Sequence, residues 1–81
     1  MQNAFLIKSY GLTVREVEVV NQIAEGHSNK VAADNLCVTE KTVKFHLTNI
    51  YRKIGVVSRS KLIVKLGVYA HQALENTVAP V

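Results

Sequence analysis

The stretch Thr39-Glu40-Lys41-Thr42-Val43-Lys44-Phe45-His46-Leu47-Thr48-Asn49-Ile50-Tyr51-Arg52-Lys53-Ile54-Gly55 decides how this chain folds. Thr39 is a capping residue and Gly55 a terminator, so the stretch predicts one helix over residues 40–54. At about 100° per residue, Val43, Leu47, Ile50 and Ile54 form one narrow apolar stripe that must face a core. Lys41, Lys44, Phe45, Thr48 and Arg52 fall on the opposite side, which is basic and carries an aromatic ring. His46 falls between the two faces, where a structural hydrogen-bonding role is expected.

Upstream, Ser28 caps a short helix through Asn35, with Val31, Ala32 and Leu36 as its apolar positions. Leu36-Cys37-Val38 then leads to Thr39, a connection of about three or four residues, the length found in a helix-turn-helix. Further upstream, Thr13 and Glu16 have the spacing of a capping box. The helix it opens has Val17, Val20, Ile23 and Ala24 as its stripe and stops near Glu25, before Gly26. Downstream, Ser58 caps a last helix from Arg59 to about Leu74, with a core stripe of Leu62, Leu66, Tyr69 and Ala73. The expected fold is all-α: a four-helix helix-turn-helix domain over residues 12–75, an N-terminal arm over 1–11 and a frayed tail over 76–81.

Composition agrees with this and removes several function classes. Eighty-one residues leave room for one core, and 48% hydrophobic with 20% charged residues is too apolar for a disordered tail. Five aromatics (three Tyr, two Phe) do not line a large ligand pocket. A single cysteine and three scattered histidines make neither an internal disulfide nor zinc-ligand spacing, so no metal or cofactor is expected. Cys37 is expected as a buried turn residue. No carboxylate pair, activated nucleophile or glycine-rich phosphate loop points to an enzyme. No apolar run approaches the roughly 20 residues that span a bilayer, and residues 1–10 lack the pattern of a cleaved leader, so a cytoplasmic protein without a membrane partner is expected.

The net charge of +4 is unevenly placed. Lys41, Lys44, Arg52, Lys53, Arg59, Lys61 and Lys65 follow one another with no acid between them, while five of the six acids precede Lys41. A polyanionic partner accounts for this distribution, and on charge alone a solvated helix face accounts for it as well.

Several blocks in order resemble the LuxR-type helix-turn-helix domain: Leu12-Thr13-Val14-Arg15-Glu16, Ala24-Glu25-Gly26, Ser28-Asn29-Lys30, Thr39-Glu40-Lys41-Thr42-Val43-Lys44, His46-Leu47 and Lys53-Ile54-Gly55-Val56. The resemblance covers roughly residues 12–66. It implies a bacterial transcription regulator of four helices, the third reading the major groove and the fourth often forming the dimer contact. Four positions depart from the family pattern. Val14 stands where proline is usual, Cys37 where glycine is common, and Phe45 and Thr48 where a smaller aliphatic and a longer polar or cationic residue are frequent. If the Cys37 turn needs positive φ, its side chain is strained there. The target sequence therefore does not carry over from relatives.

The resemblance implies base contact at the position of Lys44 and backbone contact at those of Asn29 and Lys30. Lys44 lies one turn into the helix, where an ammonium can reach a guanine edge. Phe45 can meet a thymine methyl, or pack, and Thr48 is a weaker base or phosphate contact. Thr39 and Thr42, in the first turn, can grip a phosphate, although capping alone also explains Thr39. Lys41, Arg52, Lys53 and Arg59 are expected to add phosphate attraction. Ile63, Val64, Gly67 and Val68 form a second apolar stripe, expected as a homodimer interface or else as cover for the arm through Phe5, Leu6 and Ile7. Double-stranded DNA is thus the expected partner, bound by a dimer on an inverted repeat. The alternative is an interaction module on the same scaffold that binds another regulator or RNA polymerase. Eleven residues before the matched region are too few for a sensing domain, so a standalone domain and an excised output domain both fit.

Overall fold

The computed structural model describes residues 3–67, and their side chains from Leu6 onward. The leading segment, expected as an arm, is itself a helix, α1 (Asn3–Tyr10). Its Leu6 is 1% exposed, so α1 contributes to the core and packs on the helix that follows. Next come α2 (Val14–Ala24), α3 (Asn29–Leu36) and α4 (Glu40–Ile54), and α5 begins at residue 59 and continues to residue 67, the last described.

The helix starts follow local chemistry. The Thr13 hydroxyl accepts from the Glu16 amide while the Thr13 amide donates to Glu16 Oε1 at 2.9 Å, which completes the capping box of α2. Ser28 and Thr39 accept from Val31 N and Thr42 N in the same way at α3 and α4, and Ser58 accepts from Lys61 N at α5. The helix ends share a left-handed closing residue: Gly26 after α2, Gly55 after α4 and, between them, Cys37 after α3, at φ 57°. Val38 N donates to Ala33 O and Cys37 N to Asp34 O, the paired bonds that close a helix around such a residue. Cys37 is exposed, which corrects the expectation of a buried turn residue.

Val43, Leu47, Ile50 and Ile54 of α4 are all buried, as are Val17, Val20 and Ile23 of α2 and Leu62 and Leu66 of α5. Each such side chain contributes about 1.5–3 kcal/mol by leaving water. Two stripes differ from expectation. In α2, Ala24 is exposed and Val19 is buried, because α1 packs on this helix as well as α3 and α4, which widens its covered arc. In α3, Val31 is 41% exposed and Ala33 is buried beside Ala32, two small residues that let α3 close on α2 and α4. Tyr69, Ala73 and the tail over 76–81 lie outside the described residues.

Candidate nucleic-acid interface

Three residues, Cys37 to Thr39, join α3 to α4, so the two helices form the expected helix-turn-helix corner. α2 buttresses that corner. Arg15 Nη2 donates to Leu36 O at 2.9 Å, satisfying a carbonyl at the end of α3, while Arg15 Nη1 pairs with Glu18 at 3.1 Å. At the far end of α4, Lys53 Nζ donates to Glu16 Oε1 at 2.7 Å and to Gly11 O at 3.3 Å. Burial alone raises the Glu16 pKa. The Lys53 hydrogen bond, the Thr13 amide, the Lys53 charge and the Thr13 hydroxyl together outweigh it, so the carboxyl sits below its ordinary value and stays ionised. Lys65 closes the same end by donating to Ile54 O at 3.4 Å, with its ammonium 5.8 Å from the centroid of the Tyr10 ring.

With its inner face held this way, α4 exposes Lys41, Lys44, Phe45, Thr48 and Arg52 on one side. Phe45 is 65% exposed, and its ring meets His46 edge-on with centroids 5.9 Å apart. Thr48 Oγ1 donates back to Lys44 O at 3.1 Å, so the hydroxyl offers outward only its acceptor capacity and the neighbouring methyl. Arg52 Nη2 touches Asn49 Oδ1 at 3.3 Å and stays exposed. Thr39 and Thr42 share a hydroxyl contact of 3.0 Å at the start of the helix. Lys30 is exposed on the first turn of α3. Lys30, Lys41 and Lys44 have no ion pair among the described residues.

The structure gives two of the expected phosphate contacts partners within the domain. Lys53 is turned inward to Glu16, with only 24% of its side chain exposed. Arg59 is half-buried: Nη1 donates to Asn29 Oδ1 at 2.8 Å and Nη2 to the His27 carbonyl. Neither pairing has a sequence signal, since the partners lie 37 and 30 residues apart and no local period links them. Ile63 and Val64 are 46% and 65% exposed, and Gly67 is exposed with open space where a side chain would stand, whereas Val68 lies outside the described residues. Among the described residues no helix is long and apolar enough to cross a membrane.

Comparison with known proteins gives the same picture. Residues 10–66 match the family described as "Bacterial regulatory proteins, luxR family". The chain is 46% identical over 61 residues to the transcriptional regulatory protein LiaR of Bacillus subtilis, covering 75% of this chain and 27% of that protein. It is 43% identical over 61 residues to the monoamine regulon transcriptional regulator of Klebsiella aerogenes, with the same coverage of 75% and 27%. It is 48% identical over 48 residues to the nitrate/nitrite response regulator protein NarP of Escherichia coli, covering 59% of this chain and 22% of that protein. The chain thus spans about a quarter of the length of these relatives. The capping box at Thr13, the α3–α4 corner and the basic outward face of α4 all fall inside the matched residues, and the chain belongs to the luxR family of bacterial regulatory proteins as its helix-turn-helix domain.

Proposed function

We propose that this domain binds double-stranded DNA sequence-specifically with α4 in the major groove, as the output part of a transcription regulator. The relatives' names, each a transcriptional or response regulator, support the regulatory role. The observation that carries the binding is the outward face of α4, where Lys41, Lys44 and Arg52 flank a solvent-exposed Phe45 and no acidic residue follows Glu40 before the helix ends. A large ring left in water does not stabilise the free domain, while burial against a thymine methyl in the groove recovers its apolar area. Lys44 reads a base edge, Phe45 and Thr48 contribute apolar and acceptor contacts, and Asn29, Lys30, Thr39, Lys41, Thr42 and Arg52 meet the sugar-phosphate backbone. Lys53 and Arg59, each also bonded within the domain, add to the attraction for phosphate. Ile63, Val64 and Gly67, with Val68, form the contact between two copies, which sets two half-sites in an inverted repeat.

Titration of a labelled duplex at increasing KCl tests the reading. DNA binding through several phosphates gives a straight, steep fall of log K against log salt, about 0.9 per phosphate neutralised. A flat salt dependence, or no binding to any duplex, contradicts it and favours a protein partner.

A further inference from the structure

Arg59 and Asn29 form a contact that the DNA-binding reading leaves unused. Arg59 opens α5, whose position is fixed by the buried Leu62 and by the bond from Lys65 to Ile54 O at the end of α4. Asn29 is the first residue of α3, 30 positions earlier. A guanidinium carries only donors, so the atom of Asn29 that faces Arg59 Nη1 at 2.8 Å must be the amide oxygen. The second arm of Arg59 donates to the His27 carbonyl, which fixes the plane of the guanidinium and prevents it from swinging after the amide. The Asn29 NH2 group is consequently held on the side away from Arg59, and nothing among the described residues accepts from it.

An unrestrained asparagine amide presents its oxygen as readily as its nitrogen, and an oxygen facing a phosphate is repelled. Pinning the oxygen inward removes that half of the orientations and leaves two donors for an anionic acceptor. The cationic partner also polarises the amide, which strengthens its N–H groups as donors. We infer that Arg59 is a positioning residue for DNA binding: it locks the Asn29 amide with its NH2 group outward, so that Asn29 donates to a backbone phosphate. This rests on the DNA-binding reading and changes the part Arg59 plays in it, from touching the nucleic acid to aiming the residue that does.

The test titrates the full chain and the variants Asn29→Ala, Arg59→Met, Arg59→Gln and Asn29→Ala/Arg59→Met against a preferred and a scrambled duplex over a KCl series. Thermal melts identify a temperature at which every variant is folded. Arg59→Met is expected to weaken both duplexes about five- to tenfold, the size of one ordinary net hydrogen bond. Arg59→Gln, whose amide can still donate to Asn29 Oδ1, is expected to recover part of that loss although it lacks the charge. In the Asn29→Ala background the further effect of Arg59→Met is expected to vanish, which a merely structural contribution of Arg59 does not produce. Should Arg59→Met fail to fold, Asn29→Asp serves instead: it keeps an acceptor for the guanidinium and hence the fold, but has no donor, and is expected to bind DNA no better than Asn29→Ala. Additive losses, with the salt slope reduced by about 0.9 on removing Arg59, mean that Arg59 touches a phosphate itself and overturn the proposal. Wild-type affinity in Asn29→Ala or Asn29→Asp overturns it as well. A wild-type chain that binds neither duplex contradicts the DNA-binding reading instead, and is recognised because the variants then do not differ from it.

Discussion

Lys53, in the last turn of α4, places its ammonium 2.7 Å from Oε1 of Glu16, a carboxylate only 4% exposed in the first turn of α2. The same oxygen accepts the Thr13 amide, so one atom of Glu16 caps α2 and anchors the far end of α4. The buried stripe of Val43, Leu47, Ile50 and Ile54 sets which side of α4 faces outward, and this bond ties its last turn to α2. Lys53→Met removes the cation and leaves a buried carboxylate, which is expected to cost about 2–4 kcal/mol, somewhat less than for a fully buried pair because Lys53 is partly exposed. Glu16→Gln keeps an acceptor for Thr13 and is expected to cost less. Chemical denaturation of the two variants measures both.

The same pair gives the fold an acid dependence of definite sign. The folded-state pKa of Glu16 lies below its ordinary 4.5, so at acid pH the unfolded chain binds more protons than the folded one. The contribution is complete above the ordinary carboxylate value and is lost as pH falls through the lowered one. Melting temperature is therefore expected to drop below about pH 4.5 in the wild type and less steeply in Glu16→Gln. Equal slopes for the two proteins place the acid sensitivity elsewhere.

Cys37 occupies a left-handed position at φ 57°, where Gly26 and Gly55 close the neighbouring helices. A side chain there costs about 1–2 kcal/mol, of which glycine returns part as extra freedom in the unfolded chain. Cys37→Gly is expected to stabilise the domain by about 0.5–1 kcal/mol, or a few degrees in melting temperature, and Cys37→Val to destabilise it. Neither substitution is expected to change DNA affinity, because Cys37 is not among the residues proposed to meet DNA. A lower melting temperature for Cys37→Gly rules out strain at this turn.

How much of this was legible in advance follows from the range of the interactions. Thr13, Ser28 and Thr39 cap within three residues of themselves, and Val43, Leu47, Ile50 and Ile54 repeat at the helical period, so α4 runs over residues 40–54 as its sequence predicts. The helical state of the leading segment was not legible, because its apolar residues make no clean stripe and α1 contributes Leu6 through packing on α2. Val31 and Ala33 exchange roles for a similar reason, since the period of a helix of eight residues leaves its buried face open by a position. In the candidate site, the exposed face of α4 was readable from the period. The inward turns of Lys53 and Arg59 were not, because each partner comes from a distant part of the chain.

Lys44 and Lys30 are expected to separate reading from anchoring. Lys44→Ala should cost about 1–3 kcal/mol on the preferred duplex and little on a scrambled one, as for a side chain that contacts a base edge. Lys30→Ala should weaken both alike and reduce the salt slope by about 0.9. Equal losses on both duplexes for Lys44→Ala move it to the phosphate-contacting group.

Val64, 65% exposed on α5, lies on the surface proposed to join two copies. Val64→Asp is expected to abolish cooperative binding to a duplex with two half-sites whose centres lie about 10–10.5 base pairs apart. Affinity for a single half-site and helix content by circular dichroism should not change. Cooperativity that survives the substitution removes α5 from the dimer contact.

The major-groove placement of α4 is tested most directly by methylation interference on a duplex selected by the wild-type chain from a random library. Guanine N7 lies in the major groove, so its methylation is expected to block the wild type at one or two guanines in each half-site and to matter much less for Lys44→Ala. Wild-type binding that is indifferent to N7 methylation at every guanine of the selected site contradicts the placement of this helix in that groove.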